Sequence, residues 1–267
     1  MKMKMIQKLS AVAAVAVAAT VGALLSTASV QAAEHEPEME HIDWSFNGPF
    51  GTFDRSQLRR GYKVYKEVCS TCHSMNYVHF RNLGETGGPE FSAPEVKALA
   101  AGYQVQDGPD QAGDMFERPG EGKDTFPAPY ANEEAAAASL GAAPPDLSLI
   151  AKAREGGPDY IHALLTSYTE APAGMKMPAG GHYNPMFVAG SGVIAMPPPL
   201  ADGQVDYEDG TANTLDQMSK DVSAFLMWTA EPKLEQRHRL GFQVLIYLLA
   251  LAGILFFATR KVWSDQH

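Results

Sequence analysis

Cys69-Ser70-Thr71-Cys72-His73 places two thiols and an imidazole within one short run, and the 267-residue chain has no other cysteine. Thiols one helical turn apart can each close a thioether onto a haem vinyl group and clamp the porphyrin edge. The imidazole that follows directly then reaches the iron. Two other chemistries use similar sets. A C-x-x-C pair in an exported protein can cycle as a disulfide, and Cys/Cys/His can supply part of a zinc site. A thioredoxin-like motif wants a strand before it, whereas a helix is expected here, and a zinc site lacks a fourth ligand nearby. The spacing points to one covalently bound haem c on Cys69, Cys72 and His73.

An electron-carrying haem iron keeps six ligands, and a thioether opposite the imidazole favours the ferrous state and raises the potential. Of the 12 methionines, those beyond residue 33 must be weighed. Met177 and Met196 each precede a proline, which holds the backbone extended, as a loop pressing sulfur against iron requires. Met196 is the better candidate, because residues 192–200 read Gly-Val-Ile-Ala-Met-Pro-Pro-Pro-Leu, a stiff apolar loop. Met177 lies in a Gly- and Ala-rich stretch expected to be exposed. His162 and His182 stay open as nitrogen alternatives, while His79 is too near His73 to span the iron easily. Any single methionine can also be ordinary core filling.

The elements that must position these groups can be read from periodicity. Leu58, Tyr62, Tyr65 and Cys69 recur at helical spacing after a capping Asp54, predicting a helix over 54–68 that delivers the motif at its end. Gly61 on that helix is a place where another backbone can come close. Downstream, Thr214 and Gln217 form a capping-box pattern, and Leu215, Met218, Val222, Phe225 and Leu226 mark the inner face of a second helix. The two should cross and form a two-helix frame around the motif. Residues 87–143 read as loop-rich, with an acidic run over 107–121 and a short Ala-rich helix over 133–138. A helix over 146–155 should carry Arg154 in its last turn.

Both ends are apolar. The first 33 residues carry Lys2, Lys4 and Lys8, then an apolar run, then small residues, the layout of a cleaved secretory signal. Without that segment, which holds three lysines and no acid, 18 basic residues face 31 acidic ones, a net charge of −13. Such a field repels nucleic acid and steers in a cationic partner. Residues 240–259 contain one strongly polar side chain, Gln243. At about 1.5 Å per residue they reach about 30 Å, the thickness of the hydrocarbon layer. Basic residues flank both sides of this span, so its orientation rests on the export signal. The expected organisation is a signal peptide over 1–33, an extracytoplasmic haem domain over 34–236, a transmembrane anchor over 237–260 and a cytoplasmic tail over 261–267.

Taken with Arg59-Arg60-Gly61, Pro144-Pro145-Asp146-Leu147-Ser148, Gly156-Gly157, Asp159-Tyr160, Met196-Pro197-Pro198, Tyr207-Glu208-Asp209-Gly210-Thr211 and Trp228 to Lys233, the chain resembles the cytochrome c1 family. These are the haem subunits of the quinol–cytochrome c oxidoreductase (cytochrome bc1) complex. The resemblance implies an all-α, class I cytochrome c-like haem domain with long loops plus one C-terminal transmembrane helix. It also implies Met196 as the sixth ligand, with Arg154 and Tyr160 near the haem propionates. The implied role is not that of an enzyme alone but of an electron carrier between a Rieske iron–sulfur protein and a basic cytochrome c. Cytochrome b and the lipid bilayer complete the implied surroundings, with the haem domain on the periplasmic side of a bacterial inner membrane. Some bacterial relatives have an extra cysteine pair ahead of the methionine; here proline and packing over 169–193 must do that stiffening. Two other readings stay open, a tethered cytochrome c that shuttles alone and an exported thiol oxidoreductase.

Overall fold

The computed structural model describes residues 39–264, so the signal segment over 1–33 and the end of the tail lie outside the described residues. Seven helices occur among them: α1 Arg55–Glu67, α2 Ala93–Ala101, α3 Glu133–Leu140, α4 Ile150–Ala153, α5 Gly157–Thr166, α6 Leu215–Ala230 and α7 Leu234–Ser264. Two small antiparallel ladders pair β1 Gln104–Asp107 with β2 Phe116–Pro119 and β3 His182–Tyr183 with β4 Val193–Ile194.

The frame is α1 crossing α6. Asp54 starts α1 by accepting from the backbone N–H of Ser56 and Gln57 at 2.9 and 3.2 Å, and Thr214 starts α6 by accepting from Gln217 N–H at 3.2 Å. Leu58, Tyr62, Val64 and Tyr65 of α1 and Met218, Val222, Phe225 and Trp228 of α6 bury the facing sides. At the crossing a β-carbon on Gly61 would collide with the Asp221 carbonyl, so the approach expected at Gly61 requires the absence of a side chain. Beside it Arg60 donates to the buried Asp221 carboxylate at 2.8 and 3.2 Å and to Asp209 at 2.7 Å. Gln217 adds a donor to Asp221 at 2.9 Å, so the buried charge is paired and hydrogen-bonded.

Residues 87–143 hold more order than their composition suggested. Ser92 and Glu95 form a reciprocal capping box with Pro94 in the first turn, and this starts α2. The acidic run folds into the β1–β2 hairpin because Arg118 pairs with Asp107 and grips Asp124 with two bonds of 2.7 and 2.9 Å. Phe126 then packs on Phe80 at 4.5 Å and on Tyr65 at 5.7 Å, which lays this segment against α1. The Ala-rich stretch forms α3, capped by Asn132 and ended by Gly141 at φ 83°.

The helix expected over 146–155 is shorter than its pattern. Asp146 turns its carboxylate onto the N–H groups of Ser148 and Asn76, each at 2.8 Å, and holds the chain in a turn until Ile150. Gly156 and Gly157, with φ of 79° and 54°, then reverse the chain into α5. Arg154 lies just past α4 in extended backbone. At the far end α7 is long and apolar enough to cross a membrane.

Candidate functional site

The Cys69–Thr71 segment is a single 3₁₀ turn that continues α1, with Val68 between them. The N–H groups of Cys72 and His73 both return to the Cys69 carbonyl, at 3.1 and 2.9 Å. Both thiols and the imidazole therefore issue from one tight turn. Burial pushes the Cys69 thiol up to about 12, with Cys72 adding to the shift. A disulfide-exchange nucleophile needs the opposite, a thiol lowered toward neutrality. Burial also holds the His73 imidazole below its ordinary range, against the pull of the Pro145 carbonyl and the Asp146 carboxylate. Nδ1 of His73 sits 2.8 Å from the Pro145 carbonyl oxygen, which assigns the proton to Nδ1 and leaves the Nε2 lone pair to a metal. No group of three His, Cys, Asp or Glu side chains that could hold an ion by itself occurs among the described residues.

Asp146 secures that Pro145 contact. Besides the two backbone donors it accepts from Ser74 Oγ at 2.8 Å, and Leu147 N–H meets the Ser74 carbonyl at 2.9 Å. The Pro144-Pro145-Asp146-Leu147-Ser148 segment is thus stapled to the chain just after the motif. Sequence patterning alone assigns Asp146 no role at the site; its signal is an Asp directly after Pro144-Pro145, a residue suited to capping backbone N–H groups.

Met196 is half-buried and packs against the same hydrophobic core as Cys69. Tyr168 donates its hydroxyl to the Met196 carbonyl at 3.0 Å, fixing the loop, and burial pushes that phenol up to about 12. Tyr168 is a second residue that sequence reading passed over, for it carries no motif. Tyr160, on α5, is half-buried; burial raises its pKa, while Arg154 nearby pulls the other way. Arg154 itself is exposed and donates only to the Ala153 carbonyl, at 3.1 Å. Of Arg154, Tyr160, Tyr168 and Met196, a hydrogen bond joins only Tyr168 and Met196.

The alternatives to Met196 have other partners. His162 is buried with Nε2 3.1 Å from Asp216 of α6. His182 belongs to β3 opposite Ile194, and His79 meets the Lys123 carbonyl at 2.8 Å. Met177 is half-buried rather than exposed, without the core packing that Met196 has. The stiffening over 169–193 comes from the β3–β4 ladder and from Asn184, which is fully buried and donates to the Leu164 carbonyl at 2.7 Å.

A family model described as the cytochrome C1 family matches residues 44–266. The chain belongs to the cytochrome c1 family. It is 50% identical to the cytochrome b/c1 of Bradyrhizobium diazoefficiens over 96% of its own length, yet spans only 40% of that relative. It is 47% identical to the mitochondrial cytochrome c1 haem protein of Kluyveromyces lactis, covering 90% of the chain and 82% of the relative. Identity to the cytochrome c1 of Rhodospirillum rubrum is 44%, over 89% of the chain and 92% of the relative. Cytochrome c1 proteins are haem proteins. The donor set fits that group: two thiols on one turn for thioethers, and a neutral imidazole whose free nitrogen is set by its Nδ1 contact.

Proposed function

We propose that this chain is the electron-carrying subunit of a quinol–cytochrome c oxidoreductase, taking one electron from an iron–sulfur protein and passing it to a soluble or tethered cytochrome c. In this reading Cys69 and Cys72 would hold one haem covalently, and His73 and Met196 would bind its iron. When bound, that group supplies a one-electron couple at its iron. The Pro145 carbonyl orients His73, and Tyr168 restrains the loop that offers the Met196 sulfur. Arg154 and Tyr160 provide a cation and a hydroxyl for the propionates. No bond in a substrate is made or broken by the chain alone.

Family membership supports the class of function, and the joint between α6 and α7 carries the choice of a fixed subunit over a mobile shuttle. Only Glu231, Pro232 and Lys233 separate the two helices. Glu235, in the first turn of α7, accepts from Arg55 at 2.6 and 2.9 Å and from Phe53 N–H at 2.9 Å. Glu231 pairs with Lys152 at 2.5 Å and with Arg237, and Lys233 pairs with Glu85 at 2.8 Å. A shuttling domain needs a flexible, Gly/Ser-rich or disordered tether, and this joint is the reverse. A domain held rigidly on its membrane helix suits a relay that donor and acceptor visit.

The domain boundaries proposed are 34–236 for the haem domain, 237–260 for the anchor and 261–267 for the tail. The haem domain then lies on the periplasmic side of a bacterial inner membrane. The name of the Bradyrhizobium relative joins cytochromes b and c1, which supports a cytochrome b as the neighbouring subunit. The acceptor is a basic cytochrome c drawn by the acidic domain, so its reduction should slow as ionic strength rises.

Extraction in mild detergent, a reduced-minus-oxidised spectrum and identification of the co-purifying chains test the reading together. The expected result is a covalent haem band on this chain, travelling with a cytochrome b and an iron–sulfur protein. Purification of the haem-bearing chain by itself would show a solitary tethered cytochrome instead.

A further inference from the structure

The loop over residues 44–53 stands beside the first turns of α7 and is built to hold one side chain outward. Its inner aromatics Trp44, Phe46 and Phe53 are buried, with ring centroids 5.5 Å apart for Trp44–Phe46 and 4.9 Å for Phe46–Phe53. Backbone bonds close it, from Asn47 N–H to the Trp44 carbonyl at 2.9 Å and from Thr52 N–H to the Ser45 carbonyl at 3.0 Å. A β-carbon on Gly51 would collide with the Phe46 and Asn47 carbonyls, so this turn needs glycine at that position. Phe50, next to it, is 76% exposed, the highest value for a large apolar side chain among the described residues. Most of the other strongly exposed apolar side chains belong to α7.

Phe50 also has a fixed depth. Its ring meets Phe242 of α7 edge-on, with centroids 6.0 Å apart. Phe242 follows Arg239 closely and lies in the uncharged run that ends at Arg260. Helical side chains lean toward the N-terminus, which draws the Phe242 ring back toward the start of that run. With α7 across the bilayer, the boundary between headgroups and hydrocarbon would fall there. The base of the loop is tied to the same helix, with His238 Nδ1 3.2 Å from the Gly51 carbonyl and Phe53 N–H 2.9 Å from Glu235.

We propose that the Phe50 loop is a second membrane contact, with the Phe50 ring seated among lipid acyl chains at the interface beside α7. The domain then stands on the bilayer at two points and does not swivel about its helix. Lipid is the occupant because Phe50 and the outward side chains Leu240 and Phe242 form one continuous apolar surface with the span. The inference rests on α7 crossing the bilayer, and its test separates the two.

Photo-reactive p-benzoylphenylalanine is introduced singly at positions 50, 257 and 77 of the full chain in its native membranes. Position 257 lies within the span, and Tyr77 is 71% exposed with its N–H bonded to Ser148. An unchanged haem spectrum in each variant certifies folding, and mass spectrometry of the irradiated chain reads the adducts. Lipid adducts at 50 and 257, severalfold above the yield at 77, are expected. Lipid adducts at 257 alone, or a cross-link from 50 to another protein, overturn the proposal. Loss of lipid adducts at 257 itself would overturn the membrane reading of α7, and the proposal with it.

Discussion

At the Cys69–His73 turn the backbone bonds run between residues three or four apart, whereas at the base of α7 the contacts join residues 180, 182 and 187 positions apart. The first region carries the chemical groups in one short stretch of chain. The second carries none, yet it sets how those groups are held over the membrane. The thiols and the imidazole are grouped locally and the helix joint is built from long-range contacts, so damage to one region should leave the other largely intact.

The largest effect should come from the local region. Replacing Cys69 and Cys72 together by Ala should abolish covalent haem, read as loss of haem stain on a denaturing gel, while the chain still enters the membrane. Persistence of the stain would mean that attachment lies elsewhere. Next, Met196→Leu should remove the low-spin, high-potential state in a redox titration, and Met177→Leu should leave it in place. The reverse pattern would transfer the ligand to Met177.

The long-range region should respond differently. Glu235→Ala leaves the Phe53 N–H without its acceptor and Arg55 with only Glu90 and the Phe53 carbonyl, and should loosen the joint by about 1–3 kcal/mol. Hydrogen exchange at Phe53 and in the first turn of α7 should quicken, with the haem spectrum unchanged. A spectral change would show that the two regions are coupled after all. Smaller still, Tyr168→Phe deletes one hydrogen bond and should cost about 0.5–1.5 kcal/mol. Added imidazole should then displace the Met196 sulfur, the proposed ligand, more readily.

The smallest effect concerns the β1–β2 hairpin, which is neither region. Its Arg118 guanidinium holds the Asp124 carboxyl down at about 2, against some desolvation, from an ordinary value of 3.8. A lowered folded-state pKa stabilises above the unfolded value and is lost as pH falls toward the folded one. Hairpin amides should lose exchange protection between about pH 4 and about pH 2, and Asp124→Asn should flatten that dependence.

Much of this was legible from residue types. Asp54, Gly61 and the apolar positions of α1 and α6 announce themselves because helix periodicity and capping are properties of a few neighbouring residues. The same holds for the uncharged run of α7. Residues 87–143 and 146–155 were harder, because Arg118, Asp107, Asp124 and Asp146 act by choosing partners that periodicity does not reveal. Residues 107–121 read only as an acidic run, yet Asp107 is paired with Arg118 and Asp110 with the N–H groups of its own turn.

By itself the sequence determined the chemistry, since thiol spacing and the adjacent imidazole are covalent facts that hold in any fold, and the length of an uncharged helix is likewise a matter of order along the chain. Only the tertiary structure decided how the groups are aimed: the Pro145 carbonyl on His73, Tyr168 on Met196, Glu235 on Arg55 and Phe50 beside Phe242. Those contacts pair residues far apart in the chain. Their selection depends on the simultaneous packing of α1, α6 and the loops between them, which no local pattern encodes.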